Sequence, residues 1–416
     1  MKAVVIFMKT TRSYPLLCVS PKGERSLRNG HPWVYDTEIT EMPVPPANGS
    51  LVDVLSQKGA YLGTGLYSEK SKIRVRILSS NANEAFDAAF WKRRVRYALD
   101  YRRTVMRDDF QACRLIFGEA DGMPGLTVDR YGDILSAQVL SYGMELVKDT
   151  VFRALYEQLN ESGDVITGIY ERNDSALREL EGLNAYKGWY ELPGIGHPDK
   201  TTSEITENGI RYHVDFVNGQ KTGFFLDQKY NRREVARLAK GKHVLDCFTH
   251  TGSFGMNAVM GGAVHVTCVD VSESAVRMAR ENAELNGISD RMDFVAADVF
   301  DLLPQLSAGK KSPYDFIILD PPAFTKSRKT VESASRGYKE INYRAMKLLP
   351  RGGYLATCSC SHFMRDELFA DMLRSAAADA GVQLKQVEAR QQAPDHPVLW
   401  NVPETSYLKF YIFQVV

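Results

Sequence analysis

Two short stretches carry the groups that could do covalent chemistry. Gly352-Gly-Tyr-Leu-Ala-Thr-Cys-Ser-Cys-Ser-His362 reads as a glycine-led strand, and strand period puts Cys358 and Cys360 on one face. A thiolate there can add to carbon 6 of a pyrimidine and make carbon 5 nucleophilic. A small thiol in a central strand is, equally, ordinary packing. In Asp320-Pro-Pro-Ala-Phe324 a carboxylate stands where another strand emerges, and two prolines stiffen the turn that follows. An acid with Pro321 and an aromatic, Phe324, close behind suits the grip of a planar base by hydrogen bonding and stacking.

Those groups need a frame, and residues 243–270 predict one. A short apolar run, Val244-Leu245, ends on Asp246; a Thr/Gly turn follows, then a helix over Phe254–Met260 and a strand over Val264–Val269 that closes on Asp270. This is the first βαβ unit of a nucleotide-type open sheet. Two further strands, Met292–Ala297 and Tyr314–Leu319, lead into Asp298 and Asp320. Any one of these acids reads as a helix N-cap. Four on one edge suit an amino acid amine, a ribose, an adenine and a reacting base. The turn holds Gly252, with Gly255 already inside the helix, and lacks the G-x-G-x-x-G that a diphosphate requires. An adenosine without phosphates fits better, which points to S-adenosylmethionine and a methyltransferase.

The whole chain sets wider bounds. At 416 residues it predicts two or three domains, and 44% hydrophobic with 25% charged residues describes a globular protein. The formal charge is only +1, yet residues 1–110 carry 18 Lys and Arg against 11 Asp and Glu. A basic front beside an acidic remainder is compatible with a polyanion substrate. Cysteines 18, 113, 247, 268, 358 and 360 show neither disulfide nor zinc spacing, so no metal is expected. The apolar run Ala3–Met8 is too short for a leader, and no run approaches the ~20 residues of a membrane span, so a cytoplasmic protein with no membrane partner is expected.

Residues 1–82 read as short strands of a small β-barrel. Arg74 and Arg76 share a face of the strand Ile73–Ile77, and Arg28 and Trp33 lie near it in sequence. Such groups suit phosphate contact and base stacking, the plain alternative being a solvated strand face. Residues 83–193 read as a central α+β domain, with helices over 90–105 and 145–159 and a strand over 165–169. Residues 194–416 form the α/β domain. It opens on a linker at 194–199 and a hairpin around Asn208-Gly209, and a last antiparallel strand runs over 407–415.

Taken together, several motifs resemble the ribosomal RNA large subunit methyltransferase I family, RNA 5-methylcytosine enzymes dependent on S-adenosylmethionine. Gly30-His-Pro-Trp-Val-Tyr35 resembles its RNA-binding PUA domain. Lys221–Gln228, Asp246–Gly252, Asp320–Phe324, Arg336-Gly-Tyr-Lys339 and Cys358–Ser361 resemble its methyltransferase motifs. The resemblance implies a PUA-like barrel, a central domain and a C-terminal Rossmann-like methyltransferase domain. It implies Cys360 as nucleophile and Asp320 on the cytosine. Asp270 would hold the ribose, Asp298 the adenine, and the turn of Asp246, Phe248, Thr249 and Gly252 the methionine. Phe225, Asp227, Gln228 and Arg232 would cover the cofactor. The implied partners are large-subunit ribosomal RNA and a second copy of the chain. One departure stands out: the Asp-Pro motif carries no second cysteine, which leaves the carbon-5 base to a water or His362. Methylation of an exocyclic nitrogen, and RNA binding by a vestigial methyltransferase fold, are the competing readings.

Overall fold

The computed structural model describes residues 14–308, 312–325 and 327–416, so the run Ala3–Met8 lies outside the described residues. By the density of its contacts the chain divides into two units. The first comprises Met1–Ile205, Val214–Phe224 and Pro394–Thr405; the second comprises Thr206–His213, Phe225–Ala393 and Ser406–Val416. The expected first and second domains therefore fall in one unit, and three segments expected in the α/β domain, 194–205, 214–224 and 394–405, go with them.

The first unit begins with β1 (Leu16–Val19), α1 (Pro21–Arg28), β2 (Trp33–Tyr35), β3 (Ile39–Glu41), β4 (Leu51–Ser56), β5 (Tyr61–Tyr67) and β6 (Ile73–Ser79). These strands form one sheet in the order β2-β6-β5-β4-β1-β3 over a core of Leu17, Val19, Val34, Val52, Val54 and Val75. This is the small β domain expected over residues 1–82, with β2 and β3 at the two ends of the strand order among the described residues. Helix α1 was not anticipated, although its signals were present: Ser20 accepts the Gly23 N–H as N-cap, and Pro21 follows it.

The same unit continues with α2 (Ala88–Met106), β7 (Ala112–Phe117), β8 (Leu126–Tyr131), β9 (Ile134–Val139), α3 (Tyr142–Glu161), β10 (Gly168–Asn173) and β11 (Tyr186–Trp189), the strands ordered β11-β10-β9-β8-β7. The strand expected over 165–169 lies further on, at β10. Its polar residues Glu171, Arg172 and Asn173 are buried because Lys148, the Phe216 carbonyl and the Val139 N–H each bond one of them. The hairpin β12 (Thr202–Glu207) and β13 (Ile210–Asp215) turns at Asn208 and Gly209, both at positive φ, as a two-residue loop demands.

The second unit runs α4 (Lys229–Leu238), β14 (His243–Cys247), α5 (Ser253–Met260), β15 (His265–Asp270), α6 (Glu273–Leu285), β16 (Met292–Ala296), α7 (Val299–Ala308), β17 (Phe316–Leu319), α8 (Val331–Leu348), β18 (Tyr354–Ser359), α9 (Asp366–Ala380), β19 (Leu384–Arg390) and β20 (Lys409–Val415). The sheet order is β16-β15-β14-β17-β18-β20-β19, parallel through β18, with β20 antiparallel to β18. Strand β17 is buried throughout, as a parallel strand covered on both faces must be. Order reverses around β14, whose neighbours are β15 and β17. In such sheets ligands bind outside the carboxyl ends at that reversal.

Helix α5 approaches the sheet closely because of Gly255. A Cβ there would stand 2.6 Å from Cys268 Sγ and 3.2 Å from Asp246 Oδ2. Alanine normally stabilises a helix interior over glycine by about 1 kcal/mol. Here the sign should reverse: Gly255→Ala should lower unfolding free energy by about 1–3 kcal/mol through overpacking. Denaturant unfolding reads this directly, and a stabilised variant would contradict the contact.

Candidate active site

The turn after β14 is held by its own strand. Asp246, wholly buried, accepts the Thr249 hydroxyl at 2.5 Å and the Gly255 N–H at 2.9 Å through Oδ2. Asp270, at the end of β15, accepts the His250 N–H at 2.9 Å and the Ser272 N–H at 2.9 Å. Between these anchors Phe248, His250 and Gly252 all take positive φ, of 62°, 51° and 80°. Only the glycine does so without strain; a bulky residue held there marks a turn fixed by its surroundings. The Phe225 ring stands edge-on to His250, 5.0 Å between centroids. Burial drives the His250 imidazole down to about 4, so it is neutral at physiological pH.

Two acids of this edge lie close enough to repel a third. Burial, with Asp320 and Asp270 adding to it, pushes the Asp246 carboxyl up to about 7. Asp320, just past β17, is pushed up to about 6 by burial, with Asp227 adding to it. Asp246 Oδ1 is buried with no hydrogen-bond partner among the described residues. Asp298 stands apart from these. It is exposed, and its Oδ1 accepts the Phe300 N–H as the N-cap of α7.

The two cysteines separate. Cys358 is fully buried in β18, its thiol pushed well above the usual range by burial, and the Gln228 amide donates to its sulfur at 3.5 Å. Cys360 lies one residue beyond the strand, half-exposed, with Sγ 3.9 Å from the Pro321 carbonyl. The Ser361 hydroxyl donates to the Thr325 carbonyl at 2.8 Å, so the loops after β17 and β18 are tied together. Phe324 packs its ring at 4.6 Å from Tyr338, with Phe248 and Phe300 beyond, and forms a wall of this edge.

Three residues expected over the cofactor, Arg232, Asp227 and Gln228, also serve as braces. Arg232 is buried and pairs with Glu207 at 2.7 Å, its other nitrogen donating to the Phe225 carbonyl. Asp227 is buried and accepts the Tyr407 hydroxyl at 2.6 Å. Gln228 bonds Asp320 at 3.0 Å as well as Cys358. A buried guanidinium without its acid is costly, so the Glu207 pair holds Arg232 in place. In the first unit Arg76 is likewise buried against Glu181 at 2.8 Å, which corrects the basic face expected there. Arg74 donates to the Ser68 carbonyl, Arg28 pairs with Glu24, and the Trp33 indole N–H donates to Glu119.

A family model described as an S-adenosylmethionine-dependent methyltransferase matches residues 191–414, and one described as a PUA-like domain matches residues 17–80. The chain is 38% identical to ribosomal RNA large subunit methyltransferase I of Klebsiella pneumoniae, covering 98% of this chain and 100% of that protein. It is 42% identical to the protein of that name from Shewanella denitrificans, covering 95% and 98%. The chain belongs to the ribosomal RNA large subunit methyltransferase I family. The fold agrees: a Streptococcus mutans protein assigned to the S-adenosylmethionine-dependent methyltransferases superposes with a TM-score of 0.80 at 23% identity, over 96% of this chain and all of that one.

The residues fit the family's cofactor. S-adenosylmethionine carries an ammonium and a sulfonium, and the carboxyl edge offers mutually repelling acids with one buried oxygen lacking a donor. Asp246 and the Thr249–Gly252 turn would hold the methionine end, and Asp270 retains lone pairs for ribose hydroxyls. No helix among the described residues is long and apolar enough to cross a membrane.

Asp246→Asn tests this in a family member. The amide oxygen can keep the Thr249 and Gly255 bonds while its NH2 takes the place of Oδ1. In the wild type the raised Asp246 pKa contributes stability that is complete below ~3.9 and is lost as pH rises through about 7. The variant should lose less stability between those limits, and its affinity for S-adenosylmethionine should fall on the order of tenfold, about 1.4 kcal/mol. Calorimetric titration and pH-dependent unfolding measure both. An unchanged slope with unchanged affinity would remove Asp246 from the cofactor site.

Proposed function

We propose that this protein methylates carbon 5 of a cytosine in large-subunit ribosomal RNA through a covalent adduct at Cys360. The observation that carries the reading is the half-exposed Cys360 sulfur at the carboxyl edge, beside the loop of Asp320 and Pro321, while Cys358 is sealed in the strand. The substrate class is taken from the names of the relatives, 38% and 42% identical.

In this reading the Cys360 thiolate adds to carbon 6, and the electrons of the ring double bond move to carbon 5. S-adenosylmethionine, when bound, supplies the methyl group as an electrophile. Loss of the carbon-5 proton restores the double bond and expels the thiolate. Asp320, with its carboxyl at about 6, is partly protonated near neutrality and can give a hydrogen bond to the ring nitrogen as charge builds there. His362, two residues on, keeps a buried Nδ1 without a partner among the described residues, which supports it as the acceptor of the carbon-5 proton.

The same reading gives the RNA a place in the first unit. A cavity of about 500 Å³ there is lined by His31, Arg94, Tyr97 and Tyr101 among others. Arg94 donates to the Leu78 carbonyl, and burial lowers its pKa. A partly desolvated cation beside two tyrosine rings suits a nucleotide, phosphate on the one and base on the other.

A covalent trap tests the chemistry. With S-adenosylmethionine and ribosomal RNA containing 5-fluorocytosine, the adduct cannot lose fluorine as it would a proton and should accumulate on denaturing gels. It should vanish in Cys360→Ala and persist in Cys358→Ala. No adduct, with methylation surviving Cys360→Ala, would hand the reading to an exocyclic nitrogen. For the cavity, Arg94→Gln with Tyr97→Ala should raise KM for RNA on the order of fivefold, about 1 kcal/mol, with kcat little changed. An unaltered KM would take the RNA elsewhere.

A further inference from the structure

Strand β20 runs antiparallel to β18 with Lys409 opposite Ser359. The Lys409 side chain is buried, and its ammonium donates to the Ser361 carbonyl at 2.6 Å and to the Tyr407 carbonyl at 2.7 Å. The residue between its register partner and its hydrogen-bond partner is Cys360. No carboxylate lies within ion-pair distance of this ammonium among the described residues. A buried cation held only by carbonyl oxygens is far from its preferred surroundings and asks for an anion. Burial pulls the Lys409 pKa down to about 8, and negative charge on Cys360 and then Asp366 pulls it back up.

We propose that Lys409 is the positioning residue that favours the ionised form of the Cys360 thiol, its ammonium anchored on the cysteine loop by the carbonyls of Ser361 and Tyr407. The inference rests on Cys360 as the nucleophile. A thiol beside a fixed cation ionises more readily, and the same cation receives the charge when the sulfur leaves the base. Tyr338 on α8 and Cys358 on β18 also lie near Cys360, and burial pushes the phenol up to about 12 and the thiol well above its usual range, so both are uncharged near neutrality. Asp366 on α9 acts on Lys409 itself. Lys409 brings a cation to this set. The β18 and β20 pairing thus delivers the charge to the thiol from the far end of the chain.

Alkylation separates this role from a purely structural one. Iodoacetamide reacts with the thiolate, so its rate at Cys360, followed by mass spectrometry of that peptide between pH 5.5 and 9.5, reports ionisation in the full chain without any RNA. Lys409→Met should move the midpoint up by a unit or more, which slows alkylation about tenfold near neutrality. Lys409→Arg should keep the midpoint near that of the wild type. Formation of the 5-fluorocytosine adduct should follow the same shift, slow at pH 7 and recovered at pH 9 in Lys409→Met. Equal losses in both variants at every pH, with the midpoint unmoved, would reduce Lys409 to a loop brace and overturn the proposal. Linkage gives a second measurement that does not depend on how Lys409→Met folds. In Cys360→Ser the Lys409 titration, read by NMR of 13C-labelled lysine, should fall below its wild-type value, and an unchanged titration would also overturn it. If methylation survives Cys360→Ala, the nucleophile reading fails on its own, whatever the alkylation shows.

Discussion

Asp246 lies wholly out of water and accepts both the Thr249 hydroxyl and the Gly255 N–H on one oxygen. The turn after the central strand therefore cannot open without stranding a buried carboxyl group. Everything at the carboxyl edge follows from that closure. It forces Phe248 and His250 into left-handed backbone, brings Phe225 over the turn, and leaves the second Asp246 oxygen without a donor among the described residues. A frame with an unsatisfied acceptor at its centre is already half of a binding site for a cation.

The reacting edge is assembled from elements distant in sequence. Gln228 ties Asp320 to the start of α4, Ser361 ties the cysteine loop to the proline loop, and Lys409 reaches across from β20. Each bond fixes a loop that would otherwise be free to move, which is how a protein holds reacting groups in place before the substrate arrives.

The parts legible in the sequence were those governed by local pattern. The β14 turn and α5, the acids at the strand ends, the Asn208-Gly209 hairpin and the cysteine strand all have short-range signals. Ion pairs between remote residues do not. Arg76 and Glu181, or Arg232 and Glu207, carry no mark of each other in the chain, so both arginines read as available cations. Strand β10 was displaced for a related reason, since its polar residues are buried by bonds from other segments. Lys409 was visible only as one residue of a last strand. Its meaning depends on β20 lying antiparallel beside β18, and that order is a property of the sheet.

The division of the chain also limits how the protein can be taken apart. Its second unit begins at Thr206–His213, yields Val214–Phe224 and Pro394–Thr405 to the first, and finishes at Ser406–Val416. The backbone passes from one unit to the other five times. No single cleavage or truncation isolates either unit, and neither can be moved as a continuous cassette into another gene. Synthesis is bound by the same topology: the first unit waits for Pro394–Thr405, and the cysteine edge of the second waits for residue 409.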